Sequence, residues 1–416
     1  MHSNRDVYRV AAARFIGRLG GEAAFFVGVW GLAAYRFDAT ASQLAVLMLV
    51  LGVSSMIGAA AGGVLIDRFG PQRVLVGAEI AYVPAALALT LADSLGTLTP
   101  LVAVFGLVGA PIMTATSAFA PYLVTGAHEL ERTNSLIETA GSASFVLGPA
   151  LGALIVSTIS LDAVFVVDAL LTIIAVLIVA RVSTPPKHAE SARHPLGELV
   201  HGLRETYRIR SVRYYVLIGT VVWLGFGAFS ALEPLFYRDV VGTGVEMIGW
   251  MNSIFGIGIA IGALTLPRLP DRVLSARGLA IGSALVGAGA ALYVGSTELW
   301  RIALGALVWG ALIGAVEPLL RTLMHMDAPE EIVGRVMGTA QIHRSAGELL
   351  PLAFAPLLAA TFGVQAVLIG GGFVVILVVL GSLGEAAAID REAGGSRRAV
   401  RFETFAAVDE PKSPNP

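Results

Sequence analysis

The sequence predicts an all-α integral membrane protein with twelve transmembrane helices in two six-helix, pseudo-symmetric bundles. Three observations predict it. The first is composition: 56 % of the 416 residues are apolar, only 14 % are charged, and mean hydropathy is +0.78. A soluble domain carries about 45–50 % apolar and about 25 % charged residues. The second is a series of continuous apolar runs, each close to the length of about 20 residues that crosses hydrocarbon. The third is an internal echo at an offset of 200 residues. Ile57-Gly58-Ala59-Ala60-Ala61-Gly62-Gly63 matches Ile257-Gly258-Ile259-Ala260-Ile261-Gly262-Ala263.

The runs occupy residues 12–35, 43–66, 74–92, 98–122, 135–159 and 162–181, then 214–235, 247–266, 278–296, 299–321, 336–360 and 364–383. They lack the ten-residue alternation of a barrel. Both echoing segments end the second run of a set of six, as expected for two similar bundles related by an axis along the membrane normal, with a site between them. The domains read as an N-terminal bundle 1–182, a polar linker 183–213, a C-terminal bundle 214–384 and a disordered tail 385–416. Within the linker, Leu196, Leu199, Val200, Leu203 and Tyr207 recur at helical spacing beside Arg204 and Arg208. This is either a basic amphipathic helix on the inner membrane surface or a solvated helix packed on the inner loops.

Arginine placement sets the orientation. With the N-terminus inside, 23 of the 28 Lys and Arg residues fall on inner segments. Arg36, Arg238 and Arg301 are outside, and Arg18 and Arg344 lie within spans. Both termini are therefore expected in the cytoplasm of a cell whose inner (plasma) membrane holds the chain. The N-terminus shows no small-residue cleavage site after a short apolar core, so the first span is expected to be retained.

The composition excludes other classes. A net charge of −2 offers no pull on a nucleic acid. There is no cysteine, hence no disulfide, thiolate metal site or cysteine nucleophile. No phosphate-binding Gly-x-x-x-x-Gly-Lys-Ser/Thr loop, His-Glu-x-x-His pair or Gly-x-Ser-x-Gly elbow occurs. Neither enzyme activity, nor a cofactor, nor a metal is expected.

The loop after the second run reads Gly63-Val64-Leu65-Ile66-Asp67-Arg68-Phe69-Gly70-Pro71-Gln72-Arg73. It resembles the signature loop of the major facilitator superfamily, Gly-x-x-x-Asp-Arg-x-Gly followed by a basic cluster. Here Pro71 and Gln72 reduce that cluster to Arg73. The resemblance implies that Asp67 latches the inner gate against the start of the eleventh helix, near Gly334 and Arg335. Gly148, Pro149 and Gly152 in the fifth run look like part of a motif associated with exporters of this superfamily. The expected upstream glycines are Ser144 and Ser135, so the match is partial, and a plain packing face remains the other reading. Asn134-Ser135-Leu136, Phe165-Val166-Val167-Asp168-Ala169, Tyr237-Arg238-Asp239-Val240 and Gly334-Arg335-Val336 look like the twelve-span proton-antiporter group that includes macrolide and enterobactin exporters. The resemblance implies a monomer, and a central cavity lined by the first, fourth, seventh and tenth helices.

Ionisable residues inside the bilayer are costly, about 2.5–3.5 kcal/mol at the centre, and so carry the most information. Glu22 lies near the midplane on one narrow arc with Arg14, Gly17, Arg18 and Gly21. Glu22 beside Arg18 is either a proton or substrate site or a fixed structural ion pair. In the eleventh run, Arg344 and Glu348 are four apart and can pair within the helix, with His343 beside them. Glu317 precedes Pro318 in the tenth run, with Arg321 four residues on. Asp168 reads as structural, and Glu79, Glu138 and Glu233 as interfacial.

The reading is of a secondary transporter that exchanges protons for a small amphiphilic compound moving outward. Uptake of a small solute, and a membrane sensor or assembly component without turnover, are the alternatives.

Overall fold

A computed structural model of the chain describes residues 4–182 and 203–393. Twelve helices are long and apolar enough to span a membrane. They are α1 (Arg5–Arg36), α2 (Ala41–Phe69), α3 (Pro71–Leu91), α4 (Leu95–Ser117), α5 (His128–Thr158), α6 (Leu161–Val179), α7 (Arg210–Val241), α8 (Glu246–Arg268), α9 (Ala276–Val294), α10 (Leu299–Asp327), α11 (Val333–Phe362) and α12 (Val364–Gly381). The apolar runs mark the portion suited to lipid. Several helices continue past it into polar sequence, so α1 starts seven residues before the run that begins at 12.

Local chemistry sets the helix ends. Thr40 and Ser94 form reciprocal capping boxes with Gln43 and Thr97 at the starts of α2 and α4. Ser160 and Ser275 cap α6 and α9. A single residue, Gly70, links α2 to α3. Its φ of 81° suits glycine alone, and Pro71 then opens α3 at a position where no amide donor is needed.

Both bundles use the same packing scheme. In the first, α2 packs on α4, α1 on α5 and α6, and α3 on α4 and α6. In the second, α8 packs on α10, α7 on α11 and α12, and α9 on α10 and α12. The pairings are identical after a shift of six helices. The sequence echo lies on one of these seams. A Cβ on Gly58 would overlap the Leu107 carbonyl, and one on Gly258 the Leu307 carbonyl. Gly62 abuts Pro111 as Gly262 abuts Ala311. Each pair is offset by 200, so the glycines are repeated because the same close backbone crossing is repeated. The equivalent helices α1 and α7 also share a widened π-helical outer portion, Ala24–Val29 with Gly31–Arg36 and Phe236–Val241.

The proposed tail boundary at 385 cuts through a helix. A further helix after the twelfth span, α13 (Leu383–Ala393), is docked by Arg210, which donates to both Glu385 carboxylate oxygens at 2.7 Å. These bonds hold the Glu385 carboxyl below the ordinary carboxylate range. Asp390 accepts from the Ala276 and Arg277 amides and so caps α9. The short apolar spacing of Leu383, Ala386 and Ile389 gives α13 a face to bury, which the polar composition of the tail obscured. Residues 394–416, and Leu196, Leu199 and Val200 of the expected amphipathic helix, lie outside the described residues. Residues 203–208 of that segment are helical, and Tyr207 reaches α11.

Candidate functional site

Among the described residues the bundles meet closely toward one end. A Cβ on Gly249 of α8 would overlap the Pro149 carbonyl of α5, and one on Gly256 would lie 3.1 Å from Val146 Cα. Between α2 and α11, Leu349 fills the space above Gly52. At the same end Arg238 of α7 crosses to the other bundle. Its Nη1 donates to the Ala34 carbonyl at 2.6 Å, to the Ala39 carbonyl at 3.3 Å, and lies 2.8 Å from Asp38 Oδ1. A cation set on the Ala34 carbonyl, in the last turn of α1, meets the negative end of the helix dipole, and the Ala39 carbonyl lies just beyond it.

Toward the arginine-rich end the bundles part around a cavity of about 900 Å³. Its wall comes from α1, α2, α3, α4, α6 and α11 and is mostly apolar, with Phe25, Leu51, Met56, Phe105, Met113 and Leu349 prominent. Four charged side chains line it: Arg14, Arg18, Glu22 and Glu79.

Glu22 lies in the wall, and Arg18 Nε donates to its Oε1 at 2.6 Å. The i,i+4 spacing brings the two together on one face of α1. Gly148 sets the depth of that face. A Cβ on Gly148 would lie 2.5 Å from Glu22 Cβ and 2.9 Å from the Leu19 carbonyl. Gly152, one turn on, abuts Val27 and Ala23, while Pro149 offers its carbonyl edge to α8. Gly148, Pro149 and Gly152 thus stand where α1, α5 and α8 cross.

The cluster on the other bundle is wired differently from its sequence expectation. Arg344 does not pair with Glu348. It turns to Glu317 on α10, 3.4 Å away, and lies over the Trp223 ring at 3.9 Å. Trp223 Nε1 donates to the same Glu317 oxygen at 3.0 Å. The indole face and a carboxylate across the groove offer Arg344 more than an exposed i,i+4 contact would. Glu317 is therefore held by α7 and α11, and Arg321 makes no ion pair with it among the described residues. Glu348 has no ion pair or hydrogen bond among the described residues. It is exposed and is not among the residues that line the cavity. His343 is saturated: Nδ1 meets the Thr339 carbonyl at 2.9 Å and Nε2 the Tyr207 hydroxyl at 2.8 Å.

The gate loop is open in this conformation. Asp67, Arg68 and Arg73 are exposed, and Arg68 lies over its neighbour Phe69. No contact joins Asp67 to Gly334 or Arg335 among the described residues, and a Cβ on Gly63 or on Gly334 would meet nothing within 4 Å. The parting of the bundles at this end separates the two sides of the expected latch.

Two carboxylates read as interfacial are buried. Glu79 is 3 % exposed and lines the cavity. Glu233 is 7 % exposed inside the second bundle, where it accepts from Asn252 and from Tyr293, whose hydroxyl also meets that of Tyr237 at 2.7 Å. Glu79 was legible in principle, because it stands eight residues into α3 and one turn before Tyr82 on the same face. Asp168 is fully buried and accepts from Tyr82 at 3.0 Å, tying α6 to α3. Tyr82→Phe removes this donor and is expected to lower stability by about 1–3 kcal/mol. Thermal unfolding of the purified protein in detergent checks this; an unchanged midpoint contradicts the role.

Residues 10–351 match the family model of the Major Facilitator Superfamily, with a second match over 217–406. The chain belongs to the major facilitator superfamily. This superfamily member is a multi-pass membrane transporter, not an enzyme. The multidrug efflux pump Tap of Mycobacterium tuberculosis (strain ATCC 25618 / H37Rv) is 27 % identical over 340 residues, 77 % of this chain and 80 % of Tap. The uncharacterized MFS-type transporter YfiS of Bacillus subtilis (strain 168) is 22 % identical over 391 residues, 91 % and 92 % of the two chains. Among solved structures, the nucleoside transporter NupG superposes with a TM-score of 0.74 at 12 % identity, over 92 % of this chain and 99 % of NupG. A D-xylose-proton symporter gives 0.69 at 16 % identity, over 92 % and 97 %. These structures share the fold.

Proposed function

We propose that this protein exports small amphiphilic compounds in exchange for protons, by alternating access of the cavity between its bundles. The carrying observation is the cavity itself. A mostly apolar space of about 900 Å³, open toward the arginine-rich end and edged by an ion pair, suits a molecule with an apolar body and a polar group. The likeness to Tap, a multidrug efflux pump, supports the outward direction. In the proposed cycle Glu22 with Arg18, and Glu348 on the facing bundle, bind protons, while Glu317, Arg344 and His343 hold α10 and α11 in register. Asp67 meets the start of α11 when the cavity turns outward. The protein acts as a monomer in the inner membrane, with both termini in the cytoplasm, and needs no cofactor.

A pH gradient of one unit supplies about 1.4 kcal/mol per proton, or about tenfold accumulation of an exchanged neutral compound. Inverted membrane vesicles given such a gradient are expected to accumulate an amphiphile with the native chain, and Glu22→Gln is expected to lose the gradient-driven part. Coupling that survives the substitution removes Glu22 from proton exchange. Accumulation only under the opposite gradient identifies uptake, and purified protein without flux identifies the sensor reading.

A further inference from the structure

Glu79 poses a physical question that the other cavity carboxylate does not. Glu22 already has a cation, because Arg18 lies 2.6 Å away. Glu79 has no ion pair and no hydrogen bond among the described residues, and its Oε2 is buried without a partner. Its Oε1 points toward α1, where Gly17 leaves room: a Cβ there would lie 3.8 Å from that oxygen. A carboxylate buried alone is strongly disfavoured, and the cost is relieved by a proton or by a cation brought alongside.

Among the described residues no cation pairs with Glu79. Arg14 lines the same cavity without an ion pair to Glu79: its Nη1 meets Met113 Sδ and its Nε is buried without a partner. Arg18 is engaged by Glu22. On α3 itself the ionisable neighbours are Tyr82, which donates to Asp168 of α6, and the exposed Arg73. The α4 segment, Leu95–Ser117, contains no ionisable residue, and those of α2, Asp67 and Arg68, are exposed at its far end. Beyond Glu79 the wall is aromatic and soft, with Tyr82 and Phe105 rings 4.9 Å apart and Met113 beside the cavity. Ring faces attract cations as well as apolar groups.

We propose that Glu79 is a cation-selecting site on the third helix, which holds alternately a proton and the positively charged group of a lipophilic substrate. The proposal rests on the export reading and deepens it by naming the charge of the cargo. One carboxyl cannot hold both, so binding the cation releases the proton and the exchange is stoichiometric at this site. The Arg18–Glu22 pair remains a separate proton-exchange group, and Tyr82 stays on Asp168.

The test uses the purified full-length protein with tetraphenylphosphonium as the cationic probe and triphenylphosphine oxide as its uncharged counterpart. Native protein is expected to bind the cation more tightly as pH rises and to release a proton into weakly buffered solution on binding. Glu79→Gln is expected to bind the cation at least tenfold more weakly, with no proton release, and the neutral probe within twofold of native. Glu79→Asp is expected to restore part of the cation affinity. Dicyclohexylcarbodiimide labelling of the native chain gives a readout that needs no variant: mass spectrometry should find the adduct on Glu79, suppressed by tetraphenylphosphonium. Cation affinity retained within twofold in Glu79→Gln, or an adduct on other carboxyls alone, overturns the proposal. If native vesicles export neutral amphiphiles yet the protein shows no preference for the cation, this site fails and the export reading stands. If native vesicles export nothing, the export reading itself fails.

Discussion

Gly148→Leu is expected to abolish export while leaving a chain that still inserts in the membrane. The new side chain would begin 2.5 Å from Glu22 Cβ and 2.9 Å from the Leu19 carbonyl. The second of these is backbone and cannot rotate away, so α5 must move off α1. Overpacking of this kind costs about 1–3 kcal/mol or more. Here the displacement also tilts the Arg18–Glu22 pair and lifts Pro149 from Gly249, one of the contacts that join the bundles. Gly152→Ala is the graded comparison, because its Cβ would meet mainly the Val27 side chain, 2.8 Å from Cγ2. Vesicle export is expected to fall more than tenfold in Gly148→Leu and much less in Gly152→Ala, with thermal midpoints in the same order. Native flux from Gly148→Leu would show that this crossing carries no mechanical role.

Arg238→Ala is expected to release the closed end of the molecule. The substitution removes the charged donor shared by the Ala34 and Ala39 carbonyls and by Asp38, all on the opposite bundle. Hydrogen bonds to charged groups contribute about 1.5–3 kcal/mol, which shifts a two-state equilibrium by about 10- to 150-fold. The chain has no cysteine, so one introduced thiol reports without background. Ser253 is buried on the α8 face that carries Gly249 and Gly256 against α5, and Ser253→Cys changes little volume. Labelling of that cysteine by an impermeant maleimide, applied from the side of Arg36, Arg238 and Arg301, is expected to speed up at least tenfold when Arg238→Ala is added. An unchanged rate would show that Arg238 does not hold this end shut. Arg238→Lys should fall between, since one ammonium can meet the carbonyls and Asp38 as Nη1 does but cannot also take the two-pronged hold on Asp239 that Nε and Nη2 make.

The architecture was legible because lipid imposes a coarse and repetitive demand. Every spanning segment must be a helix of nearly fixed length. The twelve apolar runs therefore correspond to the twelve helices, and the pairing of Gly58 with Gly258 reports a packing seam made twice. Glu22 and Arg18 were also legible, because i,i+4 neighbours on one helix need no tertiary information. Arg344 shows where that reasoning ends. It has an i,i+4 carboxylate in Glu348, yet the approach of α10 and α7 supplies Glu317 and the Trp223 ring. Glu79 and Glu233 were misplaced for the same reason: proximity to the end of an apolar run says nothing about which helix covers the side chain.

Sequence alone thus determined the number of helices, the twofold repeat and the charge asymmetry between the two ends, since each follows from hydrocarbon thickness, helix periodicity or the cost of moving arginine through lipid. Only the tertiary structure decided which end is closed, which carboxylates face the cavity, and which of them has a cation beside it. Those properties depend on contacts between helices far apart in the chain, where a few ångströms separate a neutralised carboxylate from a lone one.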